Sequence, residues 1–117
     1  MKLICIESPL SGNVERNIAY ADACMFDALE RGEAPYLGHL LYPRVYDDTN
    51  ELHRTAGIAA HLAWLERSDG VVIYGDYGVS RGMDDALTVA RRIHKPIQWR
   101  SLGPEWRARR TFRTPGF

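Results

Sequence analysis

Gly70-Val71-Val72-Ile73-Tyr74, running on into Gly75-Asp76-Tyr77-Gly78-Val79-Ser80-Arg81-Gly82-Met83-Asp84-Asp85-Ala86, decides the fold. The first five residues are apolar, largely β-branched and bounded by Asp69 and Gly75, the pattern of a strand buried on both faces. A glycine- and serine-containing loop follows, and apolar residues at helical spacing then run from Met83 to Ile93. Buried strand, loop and helix in that order are the building unit of a parallel sheet covered by helices. The loop also offers backbone N–H groups and the Ser80 hydroxyl beside a helix start, where negative charge is favoured. A phosphate or a ribose is the expected guest, with Asp76, Gly78, Ser80, Gly82 and Met83 as its contacts.

Upstream, Leu3–Ile6 reads as a first buried strand, and Ser8-Pro9-Leu10-Ser11-Gly12 as the loop after it. Asn13 is placed to cap a helix whose apolar residues Ile18, Ala19, Ala21, Met25, Phe26, Ala28 and Leu29 recur until Gly32. Tyr36–Tyr42, apolar and flanked by Pro35 and Pro43, predicts a second strand, with His39 inside it as a core histidine. Arg44–Asn50 is turn-prone. Glu51–Arg67 returns to helical spacing through Leu52, Ala56, Ala59, Ala60, Ala63 and Trp64, and Pro96–Trp99 is a last short strand.

Strands alternating with helices, without hairpin signals, predict right-handed crossovers and one three-layer α/β domain with a four- or five-stranded parallel sheet. Ligands of such sheets bind outside the carboxyl ends of the strands. Those ends carry the loops Ser8–Asn13, Tyr42–Asp48 and Gly75–Gly82, which hold most of the unusual polar residues. Ser8, Ser11, Gly12, Asn13 and Arg16 are ligand candidates from the first of them, against plain cap and turn roles. Arg16 would reach an anion or pair with Glu15 or Asp22. Tyr42, Tyr74 and Tyr77 are rings on which a base could stack, Tyr74 being the one expected in the core.

At 117 residues, 45% hydrophobic and 26% charged, the chain has the size of one domain with a real core. Lys plus Arg and Asp plus Glu number 15 each, so no overall field draws it to nucleic acid or a membrane surface. Lys2 and Lys95 are its lysines; the other basic groups are arginines, whose planar fork suits phosphate and carboxylate, although a GC-rich genome gives the same skew. Cys5 and Cys24 lie in apolar patterns and are expected buried and reduced. His53, His61 and His94 lack carboxylate or Cys partners at ligand spacing, so neither a metal site nor a cofactor is expected. The apolar start is too short for a signal peptide and no run approaches a membrane span, which predicts a cytoplasmic protein. A tail from Gly103 to Phe117 mixes Arg107, Arg109, Arg110 and Arg113 with Trp106, Phe112 and Pro115, and is expected to pack by its aromatics, on its own domain or on a neighbouring subunit, rather than to bind nucleic acid.

Four stretches in order, Ile6–Gly12, Tyr36–Tyr42, Asp76–Ala90 and Lys95-Pro96-Ile97, resemble the nucleoside 2-deoxyribosyltransferase-like superfamily. The nearer likeness is to a small uncharacterised phage and bacterial branch, of the DUF7768 and DUF4406 kind, that shares Asp-x-Gly-x-Ser-x-Gly-Met. The resemblance covers residues 1–102 and leaves 103–117 as a tail. It implies a flavodoxin-like, Rossmann-like sheet, action on the N-glycosidic bond of nucleosides or their 5′-monophosphates, and a homo-oligomer whose subunits complete one another's sites. It also implies a Ser-x-Gly-x-Gly-x-Glu loop in which Ser and backbone hold the phosphate and Glu attacks the anomeric carbon. On this chain the Ser is Ser80, the first Gly is Gly82, the second falls on Asp84 and the Glu on Ala86.

A methyl group has neither lone pair nor proton, so Ala86 is neither nucleophile nor base. Asp84, Asp85 and Asp48 are the carboxylates that would replace it, although one helical residue is a turn of about 100° away from the required direction. Asp47 and Asp48 sit where the superfamily carries an acidic residue for ribose hydroxyls, with an Asx turn as the plain alternative, and Arg54 would hold them. The leading expectation is therefore a binder of a nucleoside, nucleotide or ADP-ribose-like ligand, which in a phage would sequester a nucleotide signal. An N-glycosidase or deoxyribosyltransferase is the alternative.

Overall fold

The computed structural model describes residues 1–108. Its elements are β1 (Leu3–Glu7), α1 (Val14–Glu30), β2 (Ala34–Tyr36), α2 (Gly38–Leu41), a 3₁₀ turn (Tyr42–Arg44), α3 (Glu51–Arg67), β3 (Gly70–Tyr74), α4 (Arg81–Arg92) and β4 (Ile97–Arg100). The four strands form one parallel sheet in the order β2-β1-β3-β4. This is the flavodoxin-like winding, in which the chain leaves β1 toward one side and returns to the other, so that a crevice opens between the ends of β1 and β3.

Alternation along β1 assigns the two cores. Ile4 and Ile6 join Tyr20, Ala21, Cys24 and Ala28 of α1 with Val72 and Tyr74 of β3. Cys5 points to the other face, with Leu65 of α3, Val71 and Ile73 of β3, and Met83, Ala86, Leu87 and Ala90 of α4. Both cysteines are buried and free. Helix α1 is capped by Asn13, whose side chain accepts from the Arg16 N–H, and α3 by Asn50, which accepts from the His53 N–H. Each cap satisfies an otherwise orphaned donor.

The second strand is shorter than its apolar run. Only Ala34–Tyr36 pairs with β1, through Leu3, Ile4 and Cys5, and the chain then bends at buried Leu37 into α2 and the 3₁₀ turn. Pro35 lacks an N–H and is tolerated because β2 is an edge strand. Glu7, at the end of β1, pairs toward β3 instead, so no ladder holds 37–42 extended and His39 is helical, not part of a strand. On α3 the apolar residues do not form an inward face: Leu65 is its one buried residue, while Leu52 is 80% and Trp64 57% exposed.

Asp76, expected at the ligand, is a structural clasp. Its carboxylate accepts from the Tyr20 hydroxyl, from the Leu102 and Gly103 N–H groups and from the Ser101 hydroxyl. These bonds hold the segment after β4, where Leu102 and Trp106 complete the α1-side core and the Trp106 indole N–H donates to the Tyr77 hydroxyl. Arg109, Arg110, Phe112, Arg113 and Pro115 lie outside the described residues. Burial alone would raise the Asp76 pKa, but the Tyr20, Leu102, Ser101 and Gly103 bonds outweigh it and hold the group below its ordinary 3.8. A carboxylate depressed in the folded state stabilises above its unfolded pKa and loses that contribution as pH falls through the folded one. Asp76→Asn is therefore expected to lower unfolding free energy at pH 7 by about 1.5–3 kcal/mol, the range for hydrogen bonds to a charged group. In urea titrations the deficit should shrink as the pH is taken below about 4, and an equal deficit at pH 7 and pH 2.5 would rule the clasp out.

Candidate functional site

A cleft of ≈ 510 Å³ opens at the carboxyl ends of β1 and β3, within the roughly 300–1,000 Å³ of small-molecule sites. The end of β1 contributes Glu7 and Ser8, followed by Leu10 and Ser11. The segment after β2 contributes Gly38, His39, Tyr42, Pro43, Tyr46 and Asp48. Arg54, Ile58 and His61 come from α3, and Ser80, Arg81, Gly82, Met83, Asp85 and Ala86 from the start of α4. The topology thus brings the three expected loops to one place.

Glu7 was not anticipated. It is buried, and its Oε2 stands 2.7 Å from Nε2 of His61 and 4.0 Å from Sγ of Cys5. This overturns the expectation that His61 lacks carboxylate or Cys partners: β1 places residues 5 and 7 on one face by its two-residue repeat, and α3 carries His61 across it. Gly38 lies so close to the His61 ring that a Cβ there would collide with Nδ1, which makes glycine the residue that lets α2 approach. Nδ1 itself is buried with no partner among the described residues.

A second pair lies beside the first. The Ser8 hydroxyl and His39 Nε2 are 2.7 Å apart. Loss of solvation and, secondarily, the neighbouring His61 push the His39 pKa down to about 4, so the ring is neutral at physiological pH and can take or give one hydrogen bond to the serine. The Tyr36 hydroxyl donates to the Tyr42 hydroxyl at 2.6 Å, and Tyr46 stacks on His53 with ring centres 4.4 Å apart.

Of the remaining expected residues, the cleft lining contains Ser8, Ser11, Tyr42, Asp48, Arg54, Ser80, Gly82, Met83 and Asp85, and does not contain Gly12, Asn13, Arg16, Asp47, Asp76, Gly78 or Asp84. Arg16 bonds Oδ1 of Asn17 at 2.9 and 3.2 Å and lies 3.9 Å over the Tyr77 ring. Buried Asn17 in turn donates to the carbonyls of Leu10 and Ser11, which fixes the first loop. Asp47 forms the Asx turn, accepting from the N–H and hydroxyl of Thr49. Those two bonds lower its pKa. Ser80 caps α4, its hydroxyl accepting from the Met83 N–H while its own N–H meets the Met83 sulfur. Met83 is therefore buried as the reciprocal half of the cap, and Ala86 stands behind it in the cleft wall.

Residues 2–100 match the family described as a domain of unknown function, DUF7768. The chain belongs to that family. Among solved structures, the 2-deoxyribosyltransferase of Bacillus psychrosaccharolyticus, a biocatalyst for nucleoside synthesis, superposes with a TM-score of 0.71 at 15% identity, over 88% of this chain and 74% of that one. The DUF7768 chain thus has the 2-deoxyribosyltransferase fold. No curated protein sequence matches it, and no helix among the described residues is long and apolar enough to cross a membrane.

The depressed His39 pKa has a stability consequence. The unfolded ring binds a proton near pH 6.5 while the folded one resists until about 4, so this stabilisation is complete above 6.5 and is lost as pH falls toward 4. Unfolding free energy should drop across that window with a slope approaching about 1.4 kcal/mol per pH unit from this one group. His39→Gln is expected to flatten the slope in denaturant titrations at pH 4.5, 5.5 and 6.5; an unchanged slope would refute the assignment.

Proposed function

We propose that this DUF7768 protein binds a nucleoside or nucleotide in the cleft between β1 and β3. One observation carries the reading: a single cavity joins the amino end of α4, with Ser80, Arg81 and Gly82, and Arg54 of α3 to the rings of Tyr42 and Tyr46. The first group suits an anion, since helix N-terminal N–H groups and guanidinium forks favour phosphate. The second suits a base, for which stacking on a ring contributes about 1–3 kcal/mol. Ser8, Ser11 and Asp48 supply hydroxyl and carboxylate partners for a ribose. Ala86 in the wall favours retention of the ligand over turnover, and a phage protein of this kind would sequester a nucleotide signal. A homo-oligomer accounts for the exposed Leu52, Ile58 and Trp64 of α3.

A second reading, N-glycosidase or deoxyribosyltransferase action, is favoured by Glu7. This buried carboxylate, held by His61 on the cleft floor, competes with Asp85, Asp84 and Asp48 for the role that Ala86 lacks. Of those three, Asp84 stands outside the lining.

The two readings separate in one experiment. The protein is titrated calorimetrically with 2′-deoxynucleosides, their 5′-monophosphates and cyclic ADP-ribose isomers, and free base is followed by chromatography. Binding predicts saturable heat with at least one ligand, stabilisation of about 2.7 kcal/mol at 100 times its Kd, and losses of about tenfold or more in Arg54→Ala and in Tyr42→Ala. Free base formed in proportion to protein, abolished by Glu7→Gln and kept in Asp85→Ala, would replace binding by catalysis at Glu7. Neither heat nor base with any member of the panel would overturn both.

A further inference from the structure

We propose that Cys5, Glu7 and His61 form a binding site for a divalent transition-metal ion, with Zn²⁺ the best match to the donor set. One sulfur, one carboxylate oxygen and one imidazole nitrogen lie within 4.8 Å of one another. The measured separations are 4.0 Å for Cys5 Sγ to Glu7 Oε2 and 2.7 Å for Glu7 Oε2 to His61 Nε2. A tetrahedral zinc, with bonds of about 2.0 Å to nitrogen and oxygen and about 2.3 Å to sulfur, spaces such atoms by roughly 3.3–3.6 Å. Admitting the ion therefore requires the histidine and carboxylate to part by under an ångström, the sulfur to approach the carboxylate by about half an ångström and, from a separation of up to 4.8 Å, to approach the histidine nitrogen by about 1.3 Å. Side-chain rotation on a fixed strand and helix is the movement that would supply this.

The surroundings favour a cation. Cys5 and Glu7 lie on one face of β1, and Cys5 packs in the core with Val71, Ile73, Met83 and Leu87. Glu7 is a carboxylate removed from water, and a cation beside it would offset lost hydration. A bound divalent ion deprotonates a ligating thiol, so loading the site would release a proton from Cys5. Cys–Glu–His is a borderline-soft set that selects zinc, cobalt or nickel over magnesium and calcium, which take oxygen ligands. Glu7 and His61 line the cleft whereas Cys5 lies beneath it, so a fourth position faces the cavity, where water or a ligand oxygen can enter. The site stands on β1 and α3 alone and does not depend on a nucleoside in the cleft.

Full-length protein, stripped with chelator, is dialysed against Zn²⁺ or Co²⁺ and analysed for metal content and absorption. The expected result is one equivalent of metal per chain. The Co²⁺ form should show ligand-field bands of tetrahedral intensity and a thiolate-to-cobalt charge-transfer band in the near ultraviolet. Cys5→Ser, nearly isosteric, should abolish the charge-transfer band, and Glu7→Gln and His61→Ala should weaken Zn²⁺ binding by more than the roughly 10- to 100-fold that loss of an outer-sphere partner costs. Circular dichroism and the urea midpoint establish that each variant is folded, and a Zn²⁺-induced rise in melting temperature in wild type but not in Glu7→Gln is a readout free of spectroscopy. Substoichiometric metal, a cobalt spectrum without the thiolate band, or one unchanged by Cys5→Ser overturns the proposal, the last by placing the ion elsewhere.

Discussion

β1 is hydrogen-bonded along both edges, to β2 through Leu3–Cys5 and to β3 through Ile4–Glu7, and the two-residue alternation of its side chains organises everything else. An inner strand must be covered on both faces, so Ile4 and Ile6 commit one face to α1 while Cys5 commits the other to α3 and α4. The same alternation sends Glu7 toward the second core, at the level where the strand ends and the cleft begins. An apolar residue there would pack with less cost, because a buried carboxylate must find partners that compensate its lost hydration. Departures from the apolar rule at a ligand-facing strand end mark function more often than error.

The loop after β3 divides into two parts with different duties. Its first residues belong to the α1 side: Asp76 gathers Tyr20 and the chain at 101–103, and Tyr77 takes the Trp106 N–H. Its last residues belong to the cleft, where Ser80 caps α4 and Gly82 lines the wall. Asp76, expected among the ligand contacts, is thus engaged by the fold itself. Four donors converge on Asp76, and breaking them would free the segment that carries Leu102 and Trp106 into the core.

Much of this was legible in the sequence wherever one local rule governed the outcome. The β-branched run Gly70–Tyr74 and the helix Glu51–Arg67 have the bounds their patterns imply. The reading failed where tertiary partners decide. Pro35 and Pro43 bracket a run that is apolar for two different reasons, edge pairing up to Tyr36 and inward packing of Leu37 beyond it. On α3 the helical period was real, but Leu52 and Trp64 are exposed while Leu62 and Leu65 pack on the core, so spacing fixed the element without fixing its face. Glu7 and His61 are 54 residues apart, beyond any spacing motif. A signal did exist: a carboxylate closing an otherwise apolar strand, at the carboxyl end where parallel sheets bind ligands.

Exchanging a helix-borne carboxylate for one on the strand alters what the group can do to a ligand. A carboxylate at the position of Ala86 would stand one turn inside α4, where the helix dipole favours its charge. Glu7 has no helix start behind it and depends on His61, whose Nε2 meets its Oε2. Oε2 takes both the His61 and the Cys5 contacts. An oxygen pinned on one side by an imidazole is well placed to accept a hydrogen bond from a sugar hydroxyl. To attack a carbon it must also approach to near-attack distance, about 3–3.5 Å, along a defined line, and the approach of α2 through Gly38 restricts how far the His61–Glu7 pair can move. That restraint opposes the travel that attack on a carbon requires, whereas a cation between the same three side chains would need only shifts of about an ångström among them.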